Sequence, residues 1–194
     1  IEMIEKNIAS FEERCRKHHI EYRVHKDLSD LALPELKKES RFADLMLIGT
    51  EKFYENFGSG NPNNYLKDAL HHLECPVLLV PEKFTFPEVN ILAYDSTESS
   101  VFALKLFAYL LPEFTGNPTM LIYANIDGEK AIPNESYMEE LVGRHFENLT
   151  ITKLELDSRK QFNTWISEKR SVILVAGSFE RSAISRLFKP SFVN

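Results

Sequence analysis

The chain is 194 residues long, 43% hydrophobic and 27% charged, which is ordinary globular composition with enough apolar side chains for one large domain or two small ones. A formal net charge of -6 argues against general binding to nucleic acid or to an anionic membrane, since both partners are negative. Cys15 and Cys75 are too few for a disulfide framework, and no apolar run approaches the roughly 20 residues that span a bilayer. Nothing at the start marks secretion, so a reducing cytoplasm is the expected compartment.

Residues 2–19 are expected to form a helix, because Ile4, Ile8, Phe11 and Cys15 recur every three or four positions and share one face. Glu21 to Asp27 is expected as a short strand, with Tyr22 and Val24 on one side, and Ala32 to Phe42 as a second helix. Ala43 to Gly49 is a continuous apolar run closed by glycine, the pattern of a strand buried on both faces of a parallel sheet. Residues 51–63 are loop-like, Asn64 to Glu74 helical, and Pro76 to Val80 another buried strand. Residues 83–88 hold Pro87 and two phenylalanines, with Pro81 just ahead of them, and are expected as a linker. The pattern then restarts. Val89 to Tyr94 is a strand, and Ser99 to Leu111 a helix apolar nearly all round, which implies burial or a subunit contact. Thr119 to Asn125 is a strand, Glu135 to Glu147 a helix and Thr150 to Leu156 an alternating strand. Arg159 to Lys169 is a helix, and Val172 to Gly177 a buried strand ending in glycine. Strands alternating with helices throughout imply an α/β fold with a parallel sheet.

An internal repeat accompanies this order. Leu45-Met46-Leu47-Ile48-Gly49-Thr50 is similar to Ile173-Leu174-Val175-Ala176-Gly177-Ser178, each after a helix. The first half lacks the opening strand-helix-strand of the second, and the second lacks the closing helix and strand of the first. The expected organisation is therefore a partial first domain over 1–82, the linker 83–88 and a second domain over 89–194. Both ends would be cut from a longer two-domain protein.

Chemistry concentrates after the last strand. Gly177 and Ser178 stand at the carboxyl end of a parallel strand, where open α/β sheets bind ligands. Backbone N–H groups there, with a helix N-terminus, attract phosphate. A plain strand-to-loop turn accounts for the same two residues. Asp95 is equally two-sided: an aspartate after a strand caps the next turn or helix as readily as it meets a ligand, and Ser96, Thr97 or Ser99 could also cap.

Three segments carry a resemblance. Gly177 to Ser191 resembles the signature loop of the universal stress proteins, in which a strand ends in Gly, a second Gly follows after two residues, and Gly-Ser or Gly-Thr after nine more. Cys75-Pro76-Val77-Leu78-Leu79-Val80 is similar to the closing strand of that family. Ile91-Leu92-Ala93-Tyr94-Asp95 is similar to its opening strand, whose aspartate contacts adenine in nucleotide-binding members. The resemblance implies a Rossmann-like, doubly wound parallel sheet of the adenine nucleotide alpha hydrolase-like kind, repeated in tandem, with dimer-like packing of the halves. It also implies a nucleotide corner at Ala93, Asp95, Gly177, Ser178 and Ser191.

The departures from the family pattern bear on that corner. Glu180 stands at the second glycine position and Pro190 at the third, while Ser191 keeps the hydroxyl. A carboxylate ~4 Å from a phosphate charge is repelled by about 4 kcal/mol at an effective dielectric of 20. Proline removes a donor and fixes φ, and each lost charge-assisted hydrogen bond costs about 1.5–3 kcal/mol. Arg181 or Lys189 could offset part of this; with Arg186 they are the best candidate for a local basic patch. The first half, with Gly58 and Gly60 at other spacings, is expected to hold no intact site.

His18-His19 and His71-His72 are adjacent pairs that point apart, so surface roles and no metal site are expected. No Gly-x-Ser-x-Gly elbow is present, and no base is in view for Ser191, so no catalytic residue is expected. The sequence thus points to a non-enzymatic stress-response protein with a degenerate nucleotide pocket and no required cofactor, acting through self-association, a protein partner or a weak ligand. The alternative is a regulatory protein that binds ATP or ADP.

Overall fold

A computed structural model describes residues 2–26, 32–49, 68–81, 83–125, 131–155, 165, 169 and 171–177. The chain forms two compact units, residues 1–35 and 36–194.

The first unit holds α1 (Glu2–Lys17). The helix ends two residues earlier than its periodicity implies. His19 takes a left-handed φ of 56°, and the Ile20 and His19 amides donate to the carbonyls of Cys15 and Arg16, at 2.9 and 3.2 Å. This is the Schellman closure, made here without glycine. Residues 21–26 do not form the expected strand. No ladder partner is present for them among the described residues, and Tyr22 packs edge-on against Phe11 of the helix, with ring centroids 5.9 Å apart.

In the second unit the order is α2 (Ala32–Ser40, beginning in the first unit), β1 (Met46–Gly49), α3 (described over 68–72), β2 (Val77–Val80), β3 (Val89–Tyr94) and α4 (Glu98–Leu110). A short 3-10 turn (Pro112–Phe114), β4 (Thr119–Asn125), α5 (Glu135–Gly143), β5 (Leu149–Glu155) and β6 (Val172–Val175) complete it. β1 and β2 pair in parallel as a two-stranded sheet, Met46 opposite Val77 through Gly49 opposite Val80. β1 is not covered on both faces as its apolar run implies. Ile48 is buried but Leu47 is 64% exposed, so one face of the strand stays open. An ion-paired clamp joins the end of α2 to the turn before β2: Arg41 grips Glu74 with two nitrogens at 2.7 and 2.9 Å, and Ser40 Oγ accepts from the Glu74 amide at 3.0 Å.

The second sheet has the order β5-β4-β3-β6, all parallel. Chain order runs outward from β3 through β4 to β5, then returns to the other side of β3 with β6. That reversal between β3 and β6 is the topological switch point of a doubly wound α/β sheet. β3 is the centre, with Ile91, Leu92, Ala93 and Tyr94 each at most 1% exposed. Alternation splits the core as the pleat requires. Leu92, Tyr94, Leu121 and Tyr123 pack with Leu104 and Phe107 of α4 and Met138 and Val142 of α5. Ile91, Ala93 and Ile122 form the other face, with Trp165, Val172 and Leu174 against them. Of the helix expected over 159–169 only Trp165, which is helical, and Lys169 are described.

At the amino edge, Asn90 ties β3 to its neighbours. Its amide donates to the Phe114 carbonyl at 2.7 Å and to Thr119 Oγ1 at 2.9 Å. Residues 83–88 carry neither helix nor strand, and Phe84 packs edge-on against Phe86 at 5.0 Å. No described helix is long and apolar enough to cross a membrane.

Candidate functional site at the carboxyl edge

The site begins where β3 runs out. Asp95, 8% exposed, follows the last strand residue. Its Oδ1 accepts from the Thr97 amide at 3.1 Å and from Thr97 Oγ1 at 2.6 Å, and Ser96 between them takes a φ of 65°. The aspartate therefore makes a local turn before the helix. Thr97 is the N-cap of α4: its Oγ1 accepts from the Ser100 amide at 3.2 Å, and Ser100 Oγ donates back to the Thr97 carbonyl at 2.8 Å. Because the Thr97 proton is committed to the carboxylate, Ser99 Oγ, 3.0 Å away, is the donor in its bond with Thr97. Ser99, Thr97 and Asp95 form a relay of hydroxyls ending on one carboxylate oxygen. Of the four capping candidates in the sequence, Thr97 caps the helix and Asp95 holds Thr97.

The second carboxylate oxygen is different. Among the described residues Asp95 Oδ2, though buried, has no hydrogen-bond partner. An unmet buried acceptor costs about 1–3 kcal/mol, more when charged. It is the kind of group that a ligand donor or an ordered water satisfies.

Gly177 comes to the same corner from β6, across the switch point. A Cβ on it would lie 2.7 Å from the Ser100 backbone nitrogen, 2.8 Å from Ser99 Oγ and 3.0 Å from Ser100 Cα. Glycine is required there by space, since the start of the loop lies directly on the first turn of α4. The structure thus gathers Asp95 and Gly177 on one helix turn, Asp95 through Thr97 and Gly177 through Ser99 and Ser100. Ala93, 1% exposed, packs on the far face of the sheet with Ile91 and Ile122. Ser178, Ser191, Glu180, Pro190 and the basic group Arg181, Arg186 and Lys189 lie outside the described residues.

Beside this corner a groove of about 760 Å³ runs between α4 and α5, with Phe102 and Lys105 on one wall and Tyr137 and Leu141 on the other. Tyr94 reaches it and donates its hydroxyl to the Pro133 carbonyl at 2.8 Å. Burial pushes the Tyr94 hydroxyl above the ordinary tyrosine range, so it stays protonated at neutral pH. Among the described residues no three of His, Cys, Asp and Glu converge as a metal site requires. Sequence reasoning named Thr97 only as one of several caps and missed Ser99 as a donor. The run Asp95-Ser96-Thr97-Glu98-Ser99-Ser100 held the signal, but which hydroxyl faces the carboxylate depends on the turn.

No protein-family model and no curated protein matches the chain. Among solved structures it is similar to a universal stress protein from Archaeoglobus fulgidus DSM 4304, with a TM-score of 0.67 and 18% sequence identity. The match covers 99% of this chain and 75% of the archaeal one. The parallel strand order, the switch point between β3 and β6 and the match to that structure together make this the Rossmann-like α/β fold seen in a universal stress protein.

Proposed function

We propose that the chain is a universal stress protein-like, non-catalytic protein that works through association with itself or a protein partner, and that its carboxyl-edge corner is a poor site for a triphosphate. The observation that carries this reading is the closed first turn of α4. Helix N-termini bind phosphate through free backbone N–H groups and open space. Here the Ser100 amide is already held by Thr97, and Gly177 lies on Ser99 and Ser100. The nearest carboxylate adds a like charge. The loop beyond Gly177 has Glu180 and Pro190 where the family pattern has glycines, which points the same way. The tandem arrangement, with residues 1–82 as part of a first domain and 89–194 as a second, belongs to this proposal.

One observation favours the second reading, a regulatory protein that binds ATP or ADP. Asp95 Oδ2 is a buried acceptor in want of a donor, and an adenine amino group or a ribose hydroxyl would supply one. Purified protein separates the two. On the first reading, heat denaturation releases no stoichiometric adenine nucleotide into the supernatant; on the second, ATP or ADP appears at about one per chain. Steady ATP turnover abolished by Asp95→Ala would contradict both in favour of an enzyme.

A further inference from the structure

Helix α4 carries two charges, Glu98 and Lys105, in an otherwise apolar run. Glu98 stands in the first turn, where the partial positive charge of the helix N-terminus offsets it. Lys105 lies two turns further on, in the helix interior, where no such offset acts. It is half-buried and carries no ion pair among the described residues. A cation set on an apolar wall in this way gives up hydration without gaining a counter-charge. The uncompensated charge of the helix is therefore positive, and it sits one turn beyond Phe102 on the same stripe.

The groove between α4 and α5 opens on this lysine. Its volume, about 760 Å³, is that of a small-molecule site. Phe102 and Tyr137, 59% and 75% exposed, stand on opposite walls, and the buried Tyr94 and Met138 line it as well. Neither exposed ring meets another aromatic ring among the described residues. The groove adjoins the carboxyl-edge corner through Ser99, but neither Asp95 nor Gly177 lines it.

We propose that this groove binds a small aromatic carboxylate, with its ring seated against Phe102 and Tyr137 and its carboxylate paired with Lys105. The ring removes exposed aromatic surface from water on both walls, and edge-to-face or offset contacts add to that area effect. The carboxylate supplies the counter-charge that Lys105 lacks, beside apolar walls where salt screens the pair less than on open surface. A cationic ligand would set like charges together at Lys105, and a neutral one would leave the lysine as it is. The site is separate from the Asp95 corner and does not rest on the association reading above.

Three probes share one ring system and differ in charge: β-naphthoate, β-naphthylmethanol and β-naphthylmethylamine. Titrating each into the isotope-labelled 194-residue chain and following the amide resonances by NMR tests the proposal. The naphthoate should saturate with a dissociation constant on the order of 100 μM, ordinary for so small a molecule, with its shifts confined to the amides of α4 and α5 around the groove. It should bind at least about fivefold tighter than the alcohol, with the amine weakest. Lys105→Gln should bring the acid down to the level of the alcohol, and Lys105→Glu should make the amine the tightest of the three. Tyr137→Ser, an exposed change that spares the core, should weaken all three alike by at least about threefold. The amide spectrum itself reports that each variant is folded. A Lys105 that only lies along the helix to keep it wet predicts no discrimination among the probes, and that result overturns the proposal. So do shifts centred away from the groove, the lack of any saturable shift up to ~5 mM, or shifts that vanish as the chain is concentrated, the mark of a second copy in the groove. The ATP titration leaves the proposal standing whichever way it falls, and failure of the probes leaves the reading of the corner standing.

Discussion

Replacing Gly177 by alanine adds a single methyl group where the residue after β6 meets the first turn of α4. That carbon would stand 2.7 Å from one backbone atom of α4 and 3.0 Å from another, with Ser99 Oγ at 2.8 Å. Ser99 Oγ can rotate away, at the loss of its bond to Thr97. The Ser100 nitrogen and Cα cannot, so the first turn of α4 or the end of β6 must move. Overpacking of this kind costs about 1–3 kcal/mol, which lowers Tm by roughly 2–4 °C per kcal/mol for a chain of this size. Gly49 ends β1 of the other sheet much as Gly177 follows β6, but a Cβ there meets nothing within 4 Å. Gly49→Ala is therefore the internal control and should change stability by less than about 0.5 kcal/mol. Urea unfolding of both variants gives the comparison. Equal small effects would refute the close approach of β6 to α4 on which the closed corner rests.

Thr97→Ala should cost about 1 kcal/mol, the usual loss for an N-cap, with the bond to Asp95 lost as well, and Thr97→Ser should recover most of it in the same unfolding assay. Gly143→Ala should stabilise by about 0.5–1 kcal/mol, since the added methyl meets nothing within 4 Å and alanine is the better helix residue. The hydrogen bonds from Arg41 hold the Glu74 carboxyl below the usual carboxylate range. With the folded pKa depressed, the contribution of this pair is present above the unfolded pKa and is lost as pH falls through the folded one. Carboxyl-detected NMR should show the Glu74 midpoint rising in Arg41→Gln; an unmoved midpoint would contradict the pairing.

The apolar runs at 91–94 and 172–176 announce a parallel sheet because burial on both faces leaves no polar alternation, and Asp95 and Gly177 stand out because each closes such a run. Their meeting was not legible. It depends on β6 returning beside β3, more than 75 residues later, and nothing local encodes which strand a strand will join. The same limit explains β1. Its sequence reads as a buried strand, but Leu47 lies open because burial is decided by what packs on each face, which the strand's own residues do not encode. For Glu21 to Lys26 the alternation was real, yet a strand exists only with a ladder partner, and Tyr22 found Phe11 instead. Helix α4 was expected to be buried or in a subunit contact; its inner residues are buried, and which side stays exposed required the packing of α5 and the sheet.

The central claim is that the corner formed by Asp95, Thr97 and Gly177 does not grip a triphosphate. Calorimetric titration of the chain with ATP and Mg²⁺ tests it most directly. The account predicts no saturable heat, or a dissociation constant weaker than ~10 μM, about -7 kcal/mol. Tight stoichiometric binding that Asp95→Ala removes would contradict it.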